Sequence, residues 1–329
     1  MAPAVQKYFQ DGLAPSTQKT YGAALKRFHS FCVKFNVSSP FPVSEHLLCC
    51  FAAFLADQGL APQTGHSYLA AVRSMQISLG LPDPRDKSSL PALKRVQAGI
   101  KRARLAKGTP QSRIRLPVTG SVLNRIRLAL DNSSHPHKVL LWAIASAAFF
   151  GFFRLGELLP ESVHAFNPTT NLSWGDVAVD RQEAPTMVRI HLRKSKCDQF
   201  GAGADIILGR TSNPLCPVAA ILGFIAIRGS HPGPFFLDAQ GGVVTKAWFV
   251  AQIRDILNGI GLPQHQYAGH SFRIGAATSA ALAGVEDSTI QTLGRWHSAA
   301  FLQYIRMPRE RLAAVARVMA TSAMTVSTG

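Results

Sequence analysis

The amino-acid sequence predicts a mainly α-helical protein in two parts, with one small antiparallel β-sheet in the second part. Three observations carry that reading. Apolar residues recur at three- and four-residue spacing along most of the chain, as amphipathic helices require. Alternating, β-branched segments cluster between residues 176 and 208. A stretch of cations without a single acid, Lys94 to Arg115, separates a purely helical beginning from a mixed remainder.

The first hundred residues read as a bundle of four helices. Ser16 or Thr17 can cap a helix on which Tyr21, Ala24, Leu25, Phe28, Cys32 and Phe35 share one face. Ser44 opens a second helix, His46 to Ala56, which stops near Gly59. Thr64 opens a third, running through Tyr68, Ala71, Val72 and Met75 to Gly80. Ser89 with Pro91 starts a fourth, which ends in charge.

In the second part, Val118 to Leu130 and His137 to Phe153 read as helices. Asp176 to Val179, Met187 to Leu192 and Ala204 to Leu208 read as strands, the last two joined in a hairpin by the polar turn KSKCDQFGAG. Helices return over Pro217 to Ile227, Lys246 to Asn258, Ser271 to Ala283, Ser288 to Gly294, Ala299 to Ile305 and Glu310 to Met319. The boundaries expected are a helical domain over 10–105, a basic linker over 106–115, a second domain over 116–322 and a loose tail over 323–329.

With 47% hydrophobic and 16% charged residues, a chain of 329 residues is globular and long enough for two domains, which excludes disorder over its whole length. The 35 Lys and Arg against 18 Asp and Glu leave a formal charge of +17, which calls for a polyanionic partner. The longest apolar run, Val139 to Phe153, falls short of the ~18–20 residues that cross a bilayer, so no membrane role is expected. The N-terminal MAPAVQKYFQDG has no secretory apolar stretch, so an intracellular location is expected. Cys32, Cys49, Cys50, Cys197 and Cys216 form no CxxC pair and fit reduced thiols better than a disulfide framework or a zinc site.

Missing motifs remove whole reaction classes. There is no GxxxxGK[ST] loop and no HExxH. The segment GHSFR lacks the second glycine of a hydrolase elbow, so Ser271 reads as a helix cap. Gly201-Ala202-Gly203 precedes a strand, the wrong context for a dinucleotide, and sparse carboxylates speak against a two-metal nuclease. Neither cofactor nor metal is expected.

What remains is basic. Arg154 follows the apolar helix, where it can complement the helix dipole, pair with Glu157 or face an anion. His270 and Arg273 stand three apart at a helix start and face one way. Lys196 lies at the hairpin tip, where a long ammonium reaches a phosphate or a leaving group. Tyr304 sits among apolar residues that would ordinarily make it a core aromatic. If two arginines, a histidine and a lysine converge on one phosphate, however, a phenol oxygen can attack phosphorus. The acid-free Lys94, Arg95, Lys101, Arg102, Arg104, Lys107, Arg113 and Arg115 form either a solvated helix end and hinge or a surface neutralised by phosphates.

The order R, K, HxxR, W or H, then Y, behind a helical domain, resembles the tyrosine recombinase (phage integrase-like) family. FFGFFRLGEL, KSKCDQF, LCPVAAIL, GHSFRIGAAT and LGRWHSAAFLQYIR resemble more narrowly the recombinases of eukaryotic mobile elements, of the crypton and tyrosine-recombinase retrotransposon type. The resemblance covers nearly the whole chain. It implies a SAM-like core-binding domain followed by an α+β tyrosine recombinase catalytic domain.

Carried over position by position, it implies catalytic Arg154, Lys196, His270, Arg273 and the nucleophile Tyr304. Relatives carry His or Trp nine residues before the nucleophile. Here that position is Arg295, with Trp296 and His297 after it, and Trp296 is favoured because GRW recurs in the mobile-element branch. Lys194 is the alternative to Lys196, and Cys197 stands where relatives carry Thr. The resemblance further implies site-specific DNA recombination through a 3′-phosphotyrosine, without ATP or metal. It implies double-stranded DNA as partner, a homotetramer on that DNA and a nuclear location. A domesticated, non-catalytic DNA-binding protein and a type IB topoisomerase are the alternatives. The amphipathic end, with Leu312, Val315, Ala316 and Met319 on one face, can dock on a neighbouring subunit or on its own domain.

Overall fold

The structure, a computed structural model, describes residues 3–85, 89–108, 115–130, 135–194 and 202–307, together with 312–313, 315–316 and 319–320. The chain forms two compact units, Met1–Arg113 and Ile114–Gly329.

The first unit is all helical: α1 (Pro3–Asp11), α2 (Pro15–Lys34), α3 (Glu45–Asp57), α4 (Pro62–Ser78) and α5 (Pro91–Ala106). Prolines stand at the starts of all but α3. Pro15, Pro62 and Pro91 open α2, α4 and α5, because proline lacks the N–H that a first turn leaves unpaired. Ser16, Thr17 and Thr64 are therefore not the expected caps. Ser44 is one, since its hydroxyl accepts from Leu47 N at 3.1 Å. Helix α1 was not anticipated from the sequence.

Phenylalanines fill this unit's core. The Phe51 ring lies 5.0 Å from Phe28 and 5.3 Å from Phe31, and both partners come from α2. The buried Gln76 side chain accepts from Val43 N at 2.7 Å, which ties α4 to the chain entering α3.

The second unit contains α6 (Gly120–Ala129), α7 (Pro136–Phe150), the short α8 (Leu155–Leu158), then β1 (Val177–Val179), β2 (Met187–Leu192) and β3 (Ala204–Gly209). Helices α9 (Pro217–Arg228), α10 (Lys246–Gly259), α11 (His270–Leu282) and α12 (Asp287–Leu293) follow, and a 3₁₀ turn, Ala299–Tyr304, carries the tyrosine. The sheet is antiparallel in the order β1-β2-β3. Val188, Ile190 and Leu192 are buried while Met187 and Arg189 face out, and Val188 pairs with Leu208 in the anticipated hairpin. Its tip, with Lys196 and Cys197, lies outside the described residues.

Helices α7 and α11 form the centre. Leu140 through Phe149 are all buried, as are Ser271 through Thr278. Helix α7 stops at Phe150, three residues before the expected end, because Phe152 turns into the left-handed region with φ 51°. Ser271 lies inside α11 and not at its cap, and its hydroxyl accepts from Ala268 N at 3.0 Å.

Gly275 lets α11 touch the segment before α6: a Cβ there would stand 1.7 Å from the Val118 carbonyl oxygen. Gly275→Ala is therefore expected to cost about 3 kcal/mol or more. Urea unfolding measures it, and a loss below ~1 kcal/mol would show that the two segments can part without penalty. No helix among the described residues is long and apolar enough to cross a membrane.

Candidate active site

The site is built where two chain reversals meet. After α7 the backbone passes through Gly151 and Phe152 to Arg154, which stands at the N-cap of α8. After α12 it passes through Gly294 and Arg295 to Trp296, and Arg295 also lies in the left-handed region, with φ 55°. Side chains of this type reach that region only at a cost, so the surroundings must hold both turns in place.

Arg273, on α11, stitches the turns together. One terminal nitrogen donates to the Phe152 carbonyl and the other to the Gly294 carbonyl. Its guanidinium lies 4.2 Å from the Trp296 ring, a close cation–π contact. Gly294 makes room for the indole, because a Cβ there would stand 1.6 Å from the ring.

Glu157 is shared by two arginines. Its Oε1 accepts from Arg154 Nη1 at 2.8 Å. Its Oε2 accepts from the Arg154 backbone N and from Arg295 Nη2, each at 2.9 Å. Arg154 is thus not at the C-terminal end of the apolar helix, where it would complement the dipole. It pairs with Glu157, one of the roles anticipated for it.

Arg273 is 0% exposed. Burial, followed by the nearby charge of Arg154, lowers its pKa to about 10, with Arg295 acting in the same direction and Glu157 and Tyr304 opposing. It still carries its proton at neutral pH. Three guanidinium groups around one carboxylate leave an excess of positive charge in a desolvated place, which suits an incoming anion. Two donors there, Arg273 Nε and Trp296 Nε1, are buried with no hydrogen-bond partner among the described residues.

Tyr304 closes the group. Its ring centroid lies 5.1 Å from that of Trp296 and 6.1 Å from that of His270, and the Arg273 guanidinium is 5.9 Å from it. The same chain delivers it. Thr278 Oγ1 on α11 donates to the Tyr304 carbonyl at 3.2 Å and accepts from Arg306 N at 3.0 Å. Phe301 is buried and lies 6.2 Å from the Trp296 ring, which anchors the 3₁₀ turn.

Among the three residues open for the remaining position, Trp296 lies between Arg273 and Tyr304, Arg295 points to Glu157, and His297 is exposed. Lys194 is exposed beyond the end of β2. Sequence reading saw Glu157 only as a partner of Arg154; the i,i+3 spacing was its signal. Thr278 left no signal.

The basic residues of the first unit divide into two sets. Lys94, Arg95, Lys101 and Arg102 are exposed on α5, opposite the buried Leu93, and Lys107 is exposed just beyond it. Arg104 does other work: its Nη1 donates to the carbonyls of Gly59 and Leu60, at 3.2 and 2.9 Å, and closes the end of α3. In the second unit Arg115 Nη1 donates to the His265 carbonyl at 3.1 Å. Arg113 lies outside the described residues. A cationic surface missed from the sequence is α2, where Lys19, Lys26 and Lys34 are exposed. Its signal was the absence of any Asp or Glu from the helix.

No family model matches the chain. It is 24% identical over 295 residues to an integrase/recombinase XerD homologue of Selenomonas ruminantium, spanning 87% of this chain and 79% of that protein. The structure is similar to XerH site-specific recombinase bound to palindromic difH substrate, with TM-score 0.63 and 17% identity over 92% of this chain and 80% of that one. It is also similar to the Tn1549 transposon integrase in complex with transposon right end DNA, with TM-score 0.56 and 12% identity over 92% of this chain and 93% of that one. The fold, mostly helical with a small three-stranded antiparallel sheet, is similar to that of these recombinase and integrase structures.

Proposed function

We propose that this chain is a site-specific tyrosine recombinase that breaks and rejoins DNA through a 3′-phosphotyrosine. The observation that carries the reading is the convergence, in one chain, of the Tyr304 ring with His270, Trp296 and Arg273. In this reaction the Tyr304 oxygen attacks a backbone phosphorus, its proton leaves, and the bond to the 5′-oxygen breaks. Arg154, Arg273 and His270 hold the phosphate and the charge that grows on it. Lys196 protonates the departing 5′-oxygen. The free hydroxyl of another strand then reverses the step, so the bond energy is conserved and no ATP is consumed. The narrower affinity to mobile-element recombinases rests on FFGFFRLGEL and LGRWHSAAFLQYIR.

The direct test is a nicked suicide duplex drawn from a selected pool of sequences, with a search for an SDS-resistant protein–DNA adduct. Failure to form one with any duplex the protein binds would leave a DNA-binding protein without strand cleavage. Adduct formation with supercoil relaxation and no strand exchange would make it a nicking-closing enzyme.

Affinity for duplex DNA comes from phosphate contacts by the exposed stripe on α5 and the acid-free α2. Replacing Lys94, Lys101 and Arg102 by Gln is expected to lower the slope of log affinity against log salt by about 2 to 3, near 0.9 for each phosphate no longer neutralised. Filter binding at a series of salt concentrations measures it, and an unchanged slope would take α5 out of the interface.

The segment near the C-terminus supports assembly. Leu312, Val315 and Met319 are 59%, 52% and 67% exposed, which favours a cover outside their own unit. A neighbouring subunit in a DNA-bound tetramer is the proposed cover. Such an enzyme of a eukaryotic element works in the nucleus.

A further inference from the structure

Nine positions before Tyr304 stands an arginine that holds other groups in place. Arg295 Nη1 donates to the carbonyls of Gly151 at 3.1 Å and Leu293 at 3.2 Å. Its Nη2 donates to Glu157 Oε2 at 2.9 Å and to the Phe152 carbonyl at 3.4 Å. The guanidinium lies 5.3 Å from the Phe153 ring, and the side chain is only 14% exposed. The contacts with Gly151, Phe152, Phe153 and Glu157 run to the reversal after α7 and the α8 turn, while that with Leu293 stays within the residue's own turn.

Arg295 thereby acts on two neighbours. Through Glu157, whose other oxygen takes Arg154 Nη1 at 2.8 Å, it determines where the Arg154 guanidinium sits. Through its own backbone, with φ 55°, it sets the direction in which Trp296 leaves the turn. The indole thus comes to lie against both Arg273 and Tyr304, at 4.2 Å and 5.1 Å.

We propose that Arg295 is a positioning residue: it fixes Arg154 through Glu157 and Trp296 through the left-handed turn, and it does not itself touch the phosphate. The inference rests on the strand-cleaving reading for its consequence in rate, but the placement of Arg154 stands apart from it. A lysine in this position offers a single nitrogen in place of the two that serve Glu157 and the Gly151 carbonyl in a fixed fork. A glycine accepts the left-handed backbone and leaves a space shaped for a free guanidinium ion.

The experiment uses the full chain with Arg295→Gly and Arg295→Lys. Adduct rate is measured at saturating nicked duplex, and affinity for inorganic phosphate by titration calorimetry. Both are repeated with guanidinium chloride far below denaturing concentrations, matched by sodium chloride. For Arg295→Gly we expect duplex affinity to hold while the adduct rate falls about 10²-fold, the loss that a misplaced catalytic group brings. Phosphate affinity should fall about tenfold, as when the partner that orients a ligand is removed.

Guanidinium, and not sodium, should restore much of both, whereas Arg295→Lys should stay impaired. A wild-type rate in Arg295→Gly, or phosphate affinity equal to wild type, would overturn the proposal, as would failure of the wild type to bind phosphate at all. Loss that guanidinium does not repair would reduce Arg295 to a general structural role and also overturn it. If the wild type forms no adduct but its phosphate affinity depends on Arg295 in this way, the positioning stands and the strand-cleaving reading falls.

Discussion

Replacing Tyr304 by Phe is expected to abolish the covalent protein–DNA adduct while leaving duplex affinity unchanged. The substitution removes one oxygen and keeps the ring, so the contacts at 5.1 Å with Trp296 and 6.1 Å with His270 persist. The turn also stays, because Thr278 holds the backbone carbonyl of Tyr304 and not its hydroxyl. In the proposed reaction a neutral phenol is a weak nucleophile, and the excess of guanidinium charge at the site is what favours its attack. Denaturing gels after incubation with nicked duplex read the result. An adduct that survives in Tyr304→Phe would show that another side chain is the nucleophile.

Arg273→Ala carries the second large effect, and it acts on stability as well as on rate. The arginine is fully buried, and its loss strands the Gly294 carbonyl, leaves the Phe152 carbonyl only the longer bond from Arg295 and empties the space against the indole. An unpaired carbonyl costs roughly 1–3 kcal/mol and the emptied space adds a cavity cost, so a total loss of about 3–5 kcal/mol is expected. Arg273→Lys separates the two roles. Its ammonium keeps the charge but serves only one carbonyl, so the protein should fold with a smaller loss while the adduct rate drops on the order of 10²- to 10³-fold. Urea unfolding and single-turnover rates measure the two. A near-wild-type rate in Arg273→Lys would remove the arginine from the phosphate site.

Burial lowers the Arg273 pKa to about 10, and the sign of the linked stability is set by that direction. Between that value and the unfolded pKa the unfolded chain holds the extra proton, so stability gains from this group only as pH rises above about 10. It contributes no slope between pH 5 and 9, on the order of a unit below its folded pKa.

Local chemistry was legible in the chain where it depends on neighbours along the sequence. Helices α2 to α5 follow the apolar spacing of residues such as Phe28, Phe51 and Val72, and the hairpin follows the alternation of Val188, Ile190 and Leu192. Helix starts were misplaced where a hydroxyl residue competed with a nearby proline, as at Ser16 against Pro15 and Thr64 against Pro62. The candidate residues that the structure brings near one another, Arg154, His270, Arg273 and Tyr304, were legible too, because their types and short motifs stand in the chain itself.

Composition and pattern alone determined that this is a basic, mainly helical, two-part chain with Arg154, His270, Arg273 and Tyr304 as its chemical candidates. Only the tertiary structure decided that Trp296, and not Arg295 or His297, lies against the tyrosine, and that Arg104 and Arg115 hold backbone carbonyls. The reason is distance along the chain. Arg273 meets Phe152 across 121 positions and Arg295 meets Glu157 across 138, and such pairings depend on how α7, α11 and α12 pack, not on any period within them.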